Sequence, residues 1–353
     1  MSGNTFGTVF KLTTFGESHG PGLGGVVDGC PAGISLTEAM IQEELDRRKP
    51  GAGKASTARK ESDAVRLLSG VFEGKTTGTP IGFFVENEDQ RSRDYSDIKD
   101  IFRPGHADFT FHAKFGRRDY RGGGRSSGRE TVSRVVGGAI AMELLRREGI
   151  SLYAYTTELG GIPVQGVDYE SAQGTQYFSA DSGVVKQWDE RITQVKGEGD
   201  TVGGVVEVRA VGVPPGLGEP VFDKLDARLA YAFMSVGAVK AVEIGAGCKA
   251  ARNVGSKNND YMTLDGFSSN NAGGVLGGIS SGQDIVARAY IKPIPSIAKE
   301  QQCMHRNGGT VCVRVGGRHD ISAIPRVNPV LKSMMAMTLA DLLLLDRRLG
   351  VRE

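Results

Sequence analysis

Four cysteines are all the chain carries, and Cys30, Cys248, Cys303 and Cys312 form neither a C-x-x-C pair nor a zinc-ligand spacing. No disulfide framework and no metal site is expected from them; free thiols in a reducing compartment are. Net charge is equally scarce, with 43 Lys and Arg against 41 Asp and Glu for a balance of +2. Coating a polyanion takes a large basic excess, so any anion site has to be local. The opening Met1-Ser2-Gly3-Asn4-Thr5-Phe6-Gly7 lacks an apolar signal core, and no run approaches the ~18 apolar residues of a membrane span. A cytoplasmic location away from membranes is expected. Low-complexity linkers and internal repeats are missing too, so the 353 residues are read as one domain, 1–353, large enough to bury its own core.

What the chain has in excess is glycine: 51 of 353 residues, about 14%, is roughly twice the usual ~7%, with 13 prolines and no collagen period. It clusters at Gly20–Gly25, Gly122–Gly124, Gly273–Gly282 and Gly316–Gly317, where backbone turns tightly or approaches a ligand. Ser35-Leu36-Thr37-Glu38 reads as a capping box that opens a helix through Met40, Ile41 and Leu45 and puts Arg47, Arg48 and Lys49 on its last turn. Further helices are expected over about 130–147, over about 222–239, and over about 326–349. In the last, Leu331, Met335, Thr338, Leu342, Leu345 and Leu349 form one apolar seam facing the core. Alternation at Val206–Ala210, Ile285–Ile291 and Val311–Val315 predicts strands with one wet face, hence antiparallel sheets packed on helices, an α+β fold. Residues 86–129 carry charges and glycines without apolar period and read as a long functional loop.

Two familiar patterns are set aside. Gly20-Pro21-Gly22-Leu23-Gly24-Gly25 satisfies G-x-G-x-x-G, but Val26-Val27-Asp28-Gly29-Cys30-Pro31 after it cannot begin the helix a dinucleotide loop requires. Gly278-Ile279-Ser280-Ser281-Gly282 satisfies G-x-S-x-G, yet the following residues alternate like a strand, so Ser280 is not expected to be a nucleophile. Four other clusters carry chemistry: Gly16-Glu17-Ser18-His19-Gly20, Arg103-Pro104-Gly105-His106-Ala107-Asp108, Asp119 to Arg129, and Gly316-Gly317-Arg318-His319-Asp320. The first two set a histidine beside glycine in a loop, with Asp108 placed to orient His106. The third puts arginines and hydroxyls around bare backbone before a helix N-terminus, an anion site in outline. Its arginines and glycines would also suit RNA, but aromatic interleaving and an overall basic charge are missing. Together the clusters point to acid–base chemistry on a multiply anionic small molecule.

These same stretches resemble the chorismate synthase family. Gly16–Pro31 is similar to its first signature and Gly124-Arg125-Ser126-Ser127-Gly128-Arg129-Glu130-Thr131 to its second, both without a gap. Leu45–Gly51, Phe102–Asp108 and Gly273–Gly282 are further family-like runs in the family's order. The third signature departs: Ile321-Ser322 follows Arg318-His319-Asp320 where proline and cysteine are usual. Lys54 stands for a usual arginine, and Gly237-Ala238 for a usual asparagine-alanine pair.

The resemblance implies a lyase of helices sandwiched between antiparallel sheets. It would eliminate phosphate in trans-1,4 fashion from 5-enolpyruvylshikimate 3-phosphate, the last common step of the shikimate pathway to the aromatic amino acids. It further implies reduced FMN against Arg125, Ser126, Ser127, Gly237, Ala238, Gly277, Lys292, Pro293, Ile294, Pro295, Ser296 and Arg318. Ser18, Arg48, Arg129, Arg134 and Arg318 would meet substrate; Arg48 and Lys54 would be the contacts of any NADP. His19 would donate a proton to the departing phosphate, His106 would serve the flavin, and Asp320 would help take the ring proton. A homotetramer and an external source of reduced flavin, such as a flavin reductase, are implied as well. The rival class is a flavin oxidoreductase, which would consume reductant stoichiometrically.

Overall fold

The computed structural model describes residues 3–49, 55, 62–88, 99–314 and 320–348. Two five-stranded antiparallel sheets enclose a layer of helices. The first runs in the order Thr5–Phe6, Lys11–Gly16, Gly22–Asp28, Ile81–Glu86, Val65–Leu67. Strand Ile81–Glu86 shows why it faces inward: Ile81, Phe83 and Val85 alternate into the core while Gly82, Phe84 and Glu86 turn away. The second sheet runs Ile162–Pro163, Ser151–Leu159, Gly204–Val211, Ile285–Ile291, Val239–Ile244.

The helices are α1 (Glu38–Arg48), α2 (Asp108–Phe115), α3 (Thr131–Arg147), α4 (Val185–Gly197), α5 (Leu225–Met234), the short α6 (Gly255–Asn258) and α7 (Ile324–Arg348). Between the sheets, α7 packs on α1, α3 and α5 and on strands Ser151–Leu159 and Gly204–Val211, while α3 also touches the first sheet. The α3–α7 crossing is close because Gly138 has no side chain: a β-carbon there would lie 2.1 Å from Cβ of Ser333. Asp341 on α7 is fully buried and accepts from the backbone N–H groups of Thr8, Val9 and Phe10, and from Arg228. One carboxylate therefore ties the first sheet's leading edge to α7 and α5.

Several expectations are corrected. Helix α1 is capped by Thr37, whose Oγ1 accepts from Met40 N at 3.3 Å; the backbone at Ser35 forms a bridge with Lys75, and the Glu38 side chain accepts from Leu67 N. The helix expected over 222–239 stops at Met234, because Val239 is needed in the second sheet. Helix α7 begins at Ile324, close to the expected start, but from Val327 to Leu344 it is buried on every side, not along one seam. By length and composition α7 could cross a bilayer, which the absence of a continuous apolar run had argued against, but its apolar window is wholly buried. Strand Gly204–Val211 has no wet face: Glu207 is buried with Tyr155, Arg288 and Glu243 in one polar network. Within 86–129, Asp108–Phe115 is helical and Ile101–Phe102 pairs with Gln301–His305. The remaining 3₁₀ turns lead into α3.

Candidate active site

Strands Lys11–Gly16 and Gly22–Asp28 are hydrogen-bonded neighbours, and the turn between them, closed by Gly20 N donating to Glu17 O at 3.2 Å, carries Ser18 and His19. Both side chains are buried, with Ser18 Oγ 3.1 Å from His19 Nδ1. The glycine loop lies flush against them. A β-carbon on Gly122 would fall 2.3 Å from His19 Cε1, and one on Gly123 would fall 2.9 Å from His106 Cε1. Both glycines have positive φ, 63° and 91°. Two successive residues without side chains thus bring His19 and His106 to one loop, and nothing larger than glycine fits at either position. Asp119 sits on this loop; burial acts upward on its carboxyl, but Arg121, donating from Nε at 2.9 Å and from its backbone N–H, and the charge of His19 hold it below its ordinary value.

His106 is oriented as its neighbour Asp108 predicted: Nδ1 lies 3.0 Å from Asp108 Oδ1. Asp108 also accepts from Arg103 Nε at 2.7 Å and from Arg118 Nη1 at 3.2 Å. Burial alone would raise this carboxyl, but the hydrogen bonds and charges of His106 and Arg103 outweigh it and hold it well below the usual carboxylate range.

The arginines form a second group. Arg48, at the end of α1, is buried and donates to Thr131 Oγ1 at 3.0 Å and Gly128 O at 2.9 Å, with Asp63 Oδ2 at 3.4 Å. Burial brings Arg48 down to about 10 although Asp63 opposes it, so it stays charged at neutral pH. Asp63 Oδ1 accepts from Arg129 at 2.7 Å. Arg48 also feels the charges of Asp320 and Arg326, and Asp320 is held by Arg326 Nε at 2.7 Å, so this carboxylate belongs to the same neighbourhood. Arg134 is set on the next turn of α3 by Glu130 at 2.9 Å and by Ser235 Oγ at 2.7 Å.

The implied flavin contacts are brought together only in part. Arg125 is committed to the first sheet, donating to Thr14 Oγ1 at 2.6 Å and Gly16 O at 3.2 Å. Ser126 bonds back to Gly123 O at 2.7 Å, and Ser127 caps the turn before α3 by accepting from Arg129 N at 3.3 Å. Gly237 has open space where a β-carbon would be, and Ala238, left-handed at φ 73°, turns its carbonyl onto Lys292 N at 2.9 Å. Lys292 Nζ in turn reaches Gly105 O, beside His106, at 2.9 Å. Pro295 packs on Gly105, and Ile294 O accepts from Thr201. A cavity of about 470 Å³ lined by Glu158, Arg191, Lys240 and Tyr290 opens against Lys292 and Pro293. Gly277 stands in the turn of the hairpin Val275–Ser280, with open space where a β-carbon would be, and the next residue, Gly278, accepts from Leu225 N at the start of α5. Lys54 and Arg318 lie outside the described residues.

The two set-aside patterns are accounted for. Gly22–Asp28 is strand rather than phosphate loop, and Ser280, buried in a short strand, donates to Pro214 O at 2.6 Å and accepts from Leu217 N at 2.8 Å. Two residues at the site were not legible in sequence: Asp63, which bridges two arginines, and Asn87, which follows strand Ile81–Glu86. A polar residue closing an alternating strand was the only signal for Asn87.

Two histidines packed against one glycine loop, with buried arginines and a carboxylate in the neighbourhood, are groups able to exchange protons with and hold an anion. The comparisons with known proteins agree. The family model described as chorismate synthase matches residues 10–344. Chorismate synthase of Maridesulfovibrio salexigens is 69% identical over 350 residues, covering 99% of this chain and 100% of that one. That of Oleidesulfovibrio alaskensis is 68% identical over 350 residues and 99% of each chain. A solved structure titled as the crystal structure of chorismate synthase superposes with a TM-score of 0.78 at 32% identity, over 98% of this chain and 94% of that one. With the match running nearly end to end through both histidine turns and the glycine loop, the chain belongs to the chorismate synthase family.

Proposed function

We propose that this chain performs the reaction of its family, the reduced-FMN-dependent trans-1,4-elimination of phosphate from 5-enolpyruvylshikimate 3-phosphate to give chorismate. The observation that carries this reading is that consecutive glycines lie against the two histidines, Gly122 against His19 and Gly123 against His106. Such an arrangement sets two proton-handling groups at one bound molecule rather than at two sites.

The residues present fit a flavin mononucleotide. Lys292 supplies a cation, Ser126 and Ser127 supply hydroxyls, and the bare backbone of Gly237 with the left-handed Ala238 lets a flat ring approach closely. Those residues and Pro293–Ser296 would hold it, with Arg125 bracing the loop against the first sheet. The chemistry the reduced flavin supplies when bound is transient electron donation without net redox change.

The chain's own residues do the rest. Arg48, Arg129 and Arg134 compensate the carboxylates and phosphate of the substrate, with Ser18 as a further contact and Arg318 assigned by resemblance. His19 donates a proton to the departing phosphate. His106, fixed by Asp108, holds or gives a proton at the flavin side, and Asp320, fixed by Arg326, takes part in removing the ring proton. We further read the chain as one catalytic unit, since a single hydrophobic cluster runs through both sheets and α7. Cytoplasmic location, a homotetramer and an external reductase are parts of the same reading, and any NADP would meet Arg48 and Lys54.

Anaerobic single-turnover formation of chorismate with photoreduced FMN tests it. His19→Ala and His106→Ala should each slow turnover about 10²–10⁴-fold while keeping melting temperature and flavin binding. Normal turnover per folded molecule in either variant removes that histidine from the mechanism. Stoichiometric consumption of reductant would instead mark an oxidoreductase.

A further inference from the structure

The carboxamide of Asn87 is shared between two parts of the site. Its Nδ2 donates to the carbonyls of Glu17 at 2.9 Å and Gly20 at 2.8 Å, the two ends of the turn that carries Ser18 and His19. Its Oδ1 accepts from Nε of Arg129. Its backbone N–H donates to Pro21 O at 3.1 Å, extending by one residue the pairing of Gly22–Asp28 with Ile81–Glu86. The amide can face only this way: reversed, its NH₂ would meet a guanidinium N–H and its oxygen two carbonyls. Arg129 is immobilised beyond this by Asp63 at 2.7 Å and by Glu86 O at 3.2 Å.

We infer that Asn87 is a positioning residue for the elimination, fixing the His19 turn to the Arg129 guanidinium so that proton donor and anion clamp keep one mutual geometry. The inference rests on the roles given above to His19 and Arg129. Two donors and one acceptor on a short stem are needed at once, and asparagine supplies them. Aspartate would keep the bond from Arg129 but set a carboxylate against two carbonyl oxygens, releasing the turn. Leucine would release both. Misplacing a reacting group by about 1 Å can cost 10²-fold in rate without changing what is bound.

The test is a mutant cycle on the full chain loaded with photoreduced FMN under anaerobic conditions, reading single-turnover rate and equilibrium substrate affinity separately. Asn87→Asp should slow turnover about 10- to 100-fold. Its substrate affinity should stay within about threefold, and in a His19→Ala background it should add less than about threefold, because its effect runs through His19. Asn87→Leu should lose substrate affinity as well. If the Asp variant does not fold, Asn87→Ser, which keeps one hydroxyl for the turn, is measured in its place. Multiplying losses in the His19→Ala background, or weaker substrate binding at normal rate in Asn87→Asp, overturns the inference and leaves the proposed function standing. Normal turnover in His19→Ala alone fells the reading of His19, and the inference with it.

Discussion

Lys292 Nζ donates to the carbonyl of Gly105 at 2.9 Å, which pins the end of second-sheet strand Ile285–Ile291 to the turn carrying His106. In the proposed function Lys292 also serves the flavin, so it would act at two ends, the cofactor and the histidine's loop. Lys292→Gln is expected to weaken FMN binding by about ten- to a hundredfold, the worth of one charge-assisted hydrogen bond, as read by fluorescence titration. Unchanged FMN affinity with slowed turnover would assign Lys292 to the loop alone.

Arg48 and Arg134 should separate. Each is expected to weaken substrate more than flavin when replaced by alanine, since each removes a charge-assisted contact worth roughly 1.5–3 kcal/mol. Only Arg48→Ala should also unsettle the fold. It strips the buried Asp63 of one of its two cations and leaves Gly128 O without that donor, a loss on the order of 3 kcal/mol. Arg134, partly exposed between Glu130 and Ser235, should cost little stability. Thermal melts beside substrate titrations decide both points. Lost FMN affinity with normal substrate binding in both variants would refute the assignment.

Asp108 gives a pH signature. Its folded carboxyl sits below the ordinary ~3.9, so its stabilisation is complete above about pH 4 and is lost as pH falls through the lowered folded value. The difference in melting temperature between the unsubstituted protein and Asp108→Asn should therefore be constant from about pH 7 to 5 and begin to close below about pH 4. An undiminished gap in acid would mean that packing, not charge, is what Asp108 contributes.

Asp341→Asn should destabilise the protein by on the order of 3 kcal/mol. The amide sets an NH₂ among three backbone donors and cancels the charge facing Arg228. Its rate per folded molecule should stay normal, because Asp341 anchors the sheet edge and touches no part of the proposed site. A lowered rate at full folding would contradict that.

Much of this was legible in sequence because the signal is local. A period of two at Val206–Ala210 and Ile285–Ile291 shows directly where strands form, and glycine beside histidine shows where backbone must come close. The helices of 130–147 and 326–349 and the candidacy of His19, His106 and their neighbours followed from the same short-range rules, as did the family resemblance from runs of adjacent residues. What sequence could not carry was set by contacts between distant segments. A polar face such as Glu207-Arg209 looks wet until other strands and turns bring Tyr155, Arg288 and Glu243 to bury it. Thr37, not Ser35, caps α1 because the backbone at Ser35 is still paired as an extended bridge with Lys75 and the helix begins only at Glu38. The pairing of Asp63 with Arg48 and Arg129 and the reach of Asn87 to the His19 turn depend on which surfaces the two sheets and α7 press together. A side chain's chemistry is fixed by its residue, but its distant partners are fixed by packing, so candidate groups and a near neighbour such as Asp108 could be read from sequence while Asp63 and Asn87 could not.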